Sequence, residues 1–176
     1  CLDPAHPDVA TSMNNIGATY SAQGKYAEAL KNQQAALSLL RKLLGEEHPN
    51  TGHARVNIGL TYLKLNDAKQ GWKELQQGVK ILKAGLGVGH PDTINLVKAL
   101  VVLGHQHGGS LIAQQILAEI LAELPPDHPE RPELEALQVG RPGAASQRPG
   151  AAQPSAKKPS AKKPAAGAAK ARKKKP

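Results

Sequence analysis

Seven histidines, one cysteine, a pair of spaced asparagines and a set of clustered lysines are the side chains of this 176-residue chain whose types and spacing could do chemistry. His105 and His107 are the nearest histidine pair, and two positions apart on a helix they point about 200° from one another. His6, His48, His90 and His128 each precede a proline and recur at intervals of 42, 42 and 38 residues. They should lie in a row rather than converge on an ion, so no metal and no cofactor is expected. Cys1 has no partner for a disulfide, a zinc knuckle or a redox pair. No Gly-x-Ser-x-Gly and no Gly-Lys-Ser or Gly-Lys-Thr phosphate loop occurs, and the run Gly85-Leu86-Gly87-Val88-Gly89 follows a helical pattern rather than a strand. An enzyme is therefore not expected.

Two binding chemistries are left. Asn15 and Asn57, also 42 residues apart, each offer an amide donor and an amide acceptor, the combination that pairs with an extended peptide backbone whatever its sequence. The second is cationic. The net charge is +9, but residues 1–139 hold all 14 acidic residues against 12 Lys and Arg, whereas residues 140–176 hold 11 Lys and Arg and no acid. That tail contains Ala, Pro, Gly, Ser and Gln but no larger apolar side chain, so it cannot bury enough surface to offset its ordering entropy, and disorder is expected. Lys157, Lys158, Lys162, Lys163, Lys170, Arg172, Lys173, Lys174 and Lys175 present charge suited to a polyanion such as nucleic acid, without base specificity. The tail is similar to linker-histone tails, and it also fits a nuclear-import signal.

The elements that would position the asparagines follow from a repeat. Residues 6–47 and 48–89 share 12 identities in 42, concentrated in Asn15-Ile16-Gly17-Ala18-Thr19-Tyr20 and Asn57-Ile58-Gly59-Leu60-Thr61-Tyr62. Val9, Met13, Ile16, Gly17 and Tyr20 fall on one helical face, Gln23-Gly24-Lys25 interrupts it, and Tyr26, Ala29, Leu30, Leu37, Leu40 and Leu44 resume it. Each unit is thus a helical hairpin. The same frame predicts helices near 8–22, 50–65, 68–84, 92–106 and 110–123 and a short acidic one near 130–138, with prolines and early acids marking the starts. The expected architecture is all-α: about three hairpins over residues 1–139, with units near 6–47, 48–89 and 90–127, then the tail. Trp72 stands where unit one has Leu30 and is expected to be packed.

Ile16, Gly17, Tyr20, Gly24, Ala29 and Ala36 resemble the tetratricopeptide-repeat pattern. The 42-residue unit with Leu44-Gly45-Glu46-Glu47-His48-Pro49 between hairpins is similar to the kinesin-light-chain subtype, which also occurs behind nucleotide-binding signalling domains. The resemblance covers about residues 2–129. It departs from the pattern where Gly71 and Gly78 replace alanines and where Val101 and Gly104 replace Gly and Tyr, and Gly71 inside a helix is expected to cost about 1 kcal/mol relative to Ala.

The resemblance implies a solenoid that binds an extended peptide on the concave wall made by the first helix of each unit. By register that wall contains Asn14, Asn15, Asn57, Leu60, Lys64 and Lys98, with both lysines suited to an acidic ligand. A protein-binding adaptor is the leading functional reading. The alternatives are a nucleic-acid or chromatin-associated protein acting through its tail, and the regulatory C-terminal repeat region of a larger signalling protein. Leu2-Asp3-Pro4-Ala5-His6-Pro7 has the layout of an inter-repeat junction, so a preceding hairpin, a C-terminal fragment and self-association through an uncapped first hairpin are expected. No run reaches the roughly 18 apolar residues of a membrane span, and no signal-peptide layout opens the chain, so the cytoplasm is the expected compartment, with the nucleus second.

Overall fold

The computed structural model describes residues 6–138, which form α1 (Pro7–Ala22), α2 (Tyr26–Leu44), α3 (Pro49–Lys64), α4 (Ala68–Leu86), α5 (Pro91–Gln106), α6 (Ser110–Glu123) and α7 (Arg131–Gln138). The basic tail and its nine polyanion candidates lie outside the described residues. No strand occurs among the described residues.

The first helix of every hairpin begins in the same way. Proline takes the first helical position, where no backbone donor is needed. The histidine before it is the cap: Nδ1 of His6, His48 and His90 accepts from the backbone N–H of Asp8, Asn50 and Asp92 at 3.2, 3.1 and 3.2 Å. His128 does the same for Glu130 at 3.3 Å, one turn before α7 is established. The recurring His-Pro pair is therefore a helix-start device, with imidazole in the place that Ser, Asp or Asn commonly fills. Hairpin turns also share a register. Gly24, Asn66 and Gly108, spaced by 42, all have positive φ, 77°, 62° and 72°, the left-handed conformation that glycine adopts freely and asparagine tolerates.

Helices α1 and α2, α3 and α4, and α5 and α6 pair within units, and α2 packs on α3, α4 on α5 and α6 on α7. A continuous core runs from Val56 and Leu63 through Leu75, Leu82, Val97 and Leu100 to Leu117, Ile120 and Leu134. The glycines of unit two are not a defect in it. A Cβ on Gly59 would stand 2.7 Å from Leu75 Cγ and 2.9 Å from the Gly71 carbonyl oxygen, and one on Gly71 would stand 2.6 Å from Leu63 Cδ2. The absent side chains let α3 and α4 approach at backbone contact, which offsets the helix-propensity cost expected at Gly71.

One expectation about the core is corrected at the first hairpin. Ile16, placed on the packed stripe of α1, is 49% exposed, whereas Ile58 and Leu100 in the same register are buried. In units two and three that face meets the preceding hairpin's second helix, and on α1 no described element covers it. At the other end α7 closes the stack. Leu134 is fully buried, and Arg131 Nη1 donates to the carbonyls of Leu121 and Leu124 at 3.2 and 2.6 Å, satisfying the last turn of α6.

Candidate functional site

The three first helices bring the proposed peptide-contacting residues into register columns 42 residues apart. One column holds Asn15, Asn57 and Ala99, with Asn15 exposed and Asn57 half-buried. Among the described residues neither asparagine side chain makes a hydrogen bond, so both amides keep their donor and acceptor for a ligand; their backbone carbonyls accept from the hydroxyls four residues on, Asn15 from Thr19 at 3.0 Å and Asn57 from Thr61 at 2.9 Å. Beside it runs a column of Ala18, Leu60 and Val102, apolar and at least partly open, with Leu60 resting its inner side on the core. A third column is Ala22, Lys64 and Gln106, all exposed. Asn95 falls in register with Thr11 and His53 and does not extend the asparagine column.

Lys64 is held across the seam between units one and two. Its Nζ donates to Ser21 Oγ at 3.3 Å, and that hydroxyl lies 3.3 Å from the Thr61 hydroxyl, which lies 3.0 Å from Oε1 of the buried Gln33. This polar cluster ties α1, α2 and α3 together and sets the ammonium at the edge of the asparagine column.

Two of the expected residues are placed elsewhere. Asn14 is 6% exposed, and its Oδ1 is enclosed without a partner. It shares a register with the buried Val56 and with Lys98, a position that faces the following element of the stack rather than the open wall. Lys98 shows the consequence: its ammonium meets Glu130 and Glu133 at 2.6 Å each, and so it anchors α7 instead of waiting for an acidic ligand. Spacing alone pointed to the wall; the 100° rotation per residue that separates position 14 from 15 decides which one is open.

The Lys98 ammonium, through its hydrogen bond first and its charge second, holds the Glu130 carboxyl below the usual carboxylate range, and the two glutamates push Lys98 above the usual amine range. The folded state thus favours ionised Glu130. Its contribution is complete above the ordinary carboxyl value and disappears as pH falls through the lowered one. Acidification below the ordinary carboxyl range is expected to loosen α7, seen as pH-dependent shifts of the Leu134 methyl resonances that Lys98→Met abolishes. Identical titrations with and without Lys98 would remove the ion cluster as the cause.

His105 Nδ1 lies 2.8 Å from the Val101 carbonyl of its own helix, and among the described residues no group of three or more His, Cys, Asp or Glu side chains could hold a metal ion. No described helix is long and apolar enough to cross a membrane. Trp72 is packed, 3% exposed.

Residues 8–84 match the family model described as tetratricopeptide repeat. Among solved structures the chain is similar to a Podosopora anserina kinesin light chain with nearly identical TPR-like repeats, at 21% identity and a TM-score of 0.57 over 76% of this chain and 65% of that one. A variant of the same protein gives 20% identity and a TM-score of 0.58 over 79% and 66%. BtubC (BKLC) from P. vanneervenii gives 15% identity and a TM-score of 0.59 over 76% and 55%. The chain thus spans between 55% and 66% of the length of these chains, and the likeness is one of fold. No curated protein matches the chain.

Proposed function

We propose, from the match of residues 8–84 to the tetratricopeptide-repeat family model, that the described region is a protein-interaction scaffold that binds an extended peptide along its first helices. The observation that carries this reading is the column of Asn15 and Asn57, accessible amides one repeat apart with no hydrogen bond of their own among the described residues. A repeat of 42 residues displays them periodically, and an extended strand can offer each one a backbone N–H and carbonyl. Leu60 and its column supply apolar contact, and Lys64 attracts a carboxylate at one edge. Asn14 and Lys98 drop out of the contact set, the first by burial and the second by its pairing with Glu130 and Glu133.

The test is the double variant Asn15→Ala and Asn57→Ala in the full chain. Each lost amide pairing is worth roughly 0.5–1.5 kcal/mol, so partner affinity is expected to fall about 5- to 150-fold while helicity by circular dichroism stays unchanged. Unchanged affinity in a folded double variant would refute the asparagine column as the contact.

A second reading rests on the tail, whose 11 cations and no acid favour contact with a polyanion. Retention of nucleic acid by the full chain would then fall steeply with salt, because each neutralised phosphate releases counterions. Salt-independent retention would point away from the tail. The uncovered Ile16 face of α1 is where a second copy or a preceding hairpin would pack.

A further inference from the structure

Between α4 and α6 runs a groove that shares no residue with the asparagine column. One end, about 290 Å³, is lined by Lys69, Trp72, Lys73 and Ile112, and the other, about 160 Å³, by Val79, Lys80, Ile116 and Ile120. Its floor is apolar: Trp72, Val79, Ile116 and Ile120 are all buried beneath it. Ile112, on the α6 side, is half-buried and lines the wider end. The α4 wall is cationic. Lys83 pairs with Glu123 at 2.7 Å, and Glu119 lines the narrower end, but no described carboxylate lies within salt-bridge reach of Lys69, Lys73 or Lys80. The preceding unit is not built this way: 42 positions earlier, Lys69 and Lys80 correspond to Ala27 and Ser38, and only Lys73 has a lysine counterpart, Lys31. The combination is a property of this groove and not of the repeat.

We infer that the α4–α6 groove is a second docking surface, for an acidic amphipathic helix of a partner protein. The wall from Lys69 to Lys83 spans 14 residues, about 21 Å of helix, which matches a partner helix of about four turns. Such a helix would set apolar side chains at i, i+3 or i+4 and i+7 against Ile112 and the aliphatic stems of the lysines, and carboxylates against Lys69, Lys73 and Lys80. The chain's own residues 140–176, with 11 cations and no acid, lack the carboxylates that such an occupant would need.

Trp72 is the chain's single tryptophan and lines the groove, so its emission reports occupancy there and is insensitive to peptide captured by the tail. The probe is a synthetic helix of repeated Glu-Ala-Leu-Glu-Glu-Leu titrated into the full chain, with a Lys-for-Glu peptide as control. A saturable Trp72 response is expected for the acidic peptide and none for the basic one. Charge reversal of the wall, Lys69→Glu with Lys73→Glu, should weaken the response at least tenfold; both residues are exposed, so folding should be retained by circular dichroism. The Asn15→Ala, Asn57→Ala variant should respond as the parent does. The proposal is overturned if the peptide binds without a Trp72 response, if the lysine reversal leaves the response unchanged, if the asparagine variant abolishes it, or if the groove is instead closed by concentration-dependent self-association.

Discussion

Replacing Trp72 with alanine is expected to lower the stability of the repeat region by about 3–5 kcal/mol, the range for removing a large buried aromatic from a core that relaxes only partly. The structure explains why the site cannot collapse. The indole lies against the backbone of the α5–α6 turn so closely that a Cβ on Gly109 would stand 1.8 Å from Trp72 Cε2. Trp72 therefore spans from α4 to the next hairpin's turn, and its loss opens a cavity between units two and three. The indole Nε1 is buried with no hydrogen-bond partner among the described residues, so Trp72→Phe should lose less than alanine, because it retains most of the apolar volume and removes an unsatisfied donor. Urea unfolding followed by the helical circular dichroism signal measures both. A loss under about 1 kcal/mol for alanine would mean that unit three does not depend on this contact.

The second large effect is a contrast between equivalent positions. Leu100 and Ile16 occupy the same register, two repeats apart, yet Leu100 is fully buried and Ile16 is 49% exposed. Leu100→Ala should cost about 2–5 kcal/mol, whereas Ile16→Ala should cost under about 1 kcal/mol. Two chemically similar truncations at one repeat position would then differ severalfold, and the difference measures what a preceding hairpin contributes in a solenoid whose units are stabilised by their neighbours. Equal losses at both sites would show that the α1 face is covered in solution, and a matching shift in mass by sedimentation would identify a second copy as the cover.

The helices were legible because their signals are local. Proline at the first position, a helix-breaking turn and an apolar stripe at 3.6-residue spacing place α1 and α3 to α7 within a residue or two of the expected bounds. The role of His6, His48, His90 and His128 was half legible. Their spacing marks the junctions, but a capping imidazole is recognised only when Nδ1 is seen to accept the amide two residues on. Gly71 was read as a propensity cost because a sequence carries no information on the backbone it must pass, here Gly59 and Leu63.

The candidate site divides along the same line. The 42-residue period alone dictates that Asn15 and Asn57 share a column and that Asn14, Val56 and Lys98 share another, since repetition of a helical hairpin carries each register position to the same place in every unit. Which column is open and which is sealed depends on contacts between elements distant in sequence: Glu130 and Glu133 reach Lys98 across more than 30 residues, and Ser21 reaches Lys64 across 43. The α4–α6 groove is of the same kind, because its lysine wall on α4 and the isoleucines of α6 belong to different hairpins. Period and helix boundaries reside in local chemistry. The occupancy of a lysine and the floor of a groove arise only when one unit packs on the next.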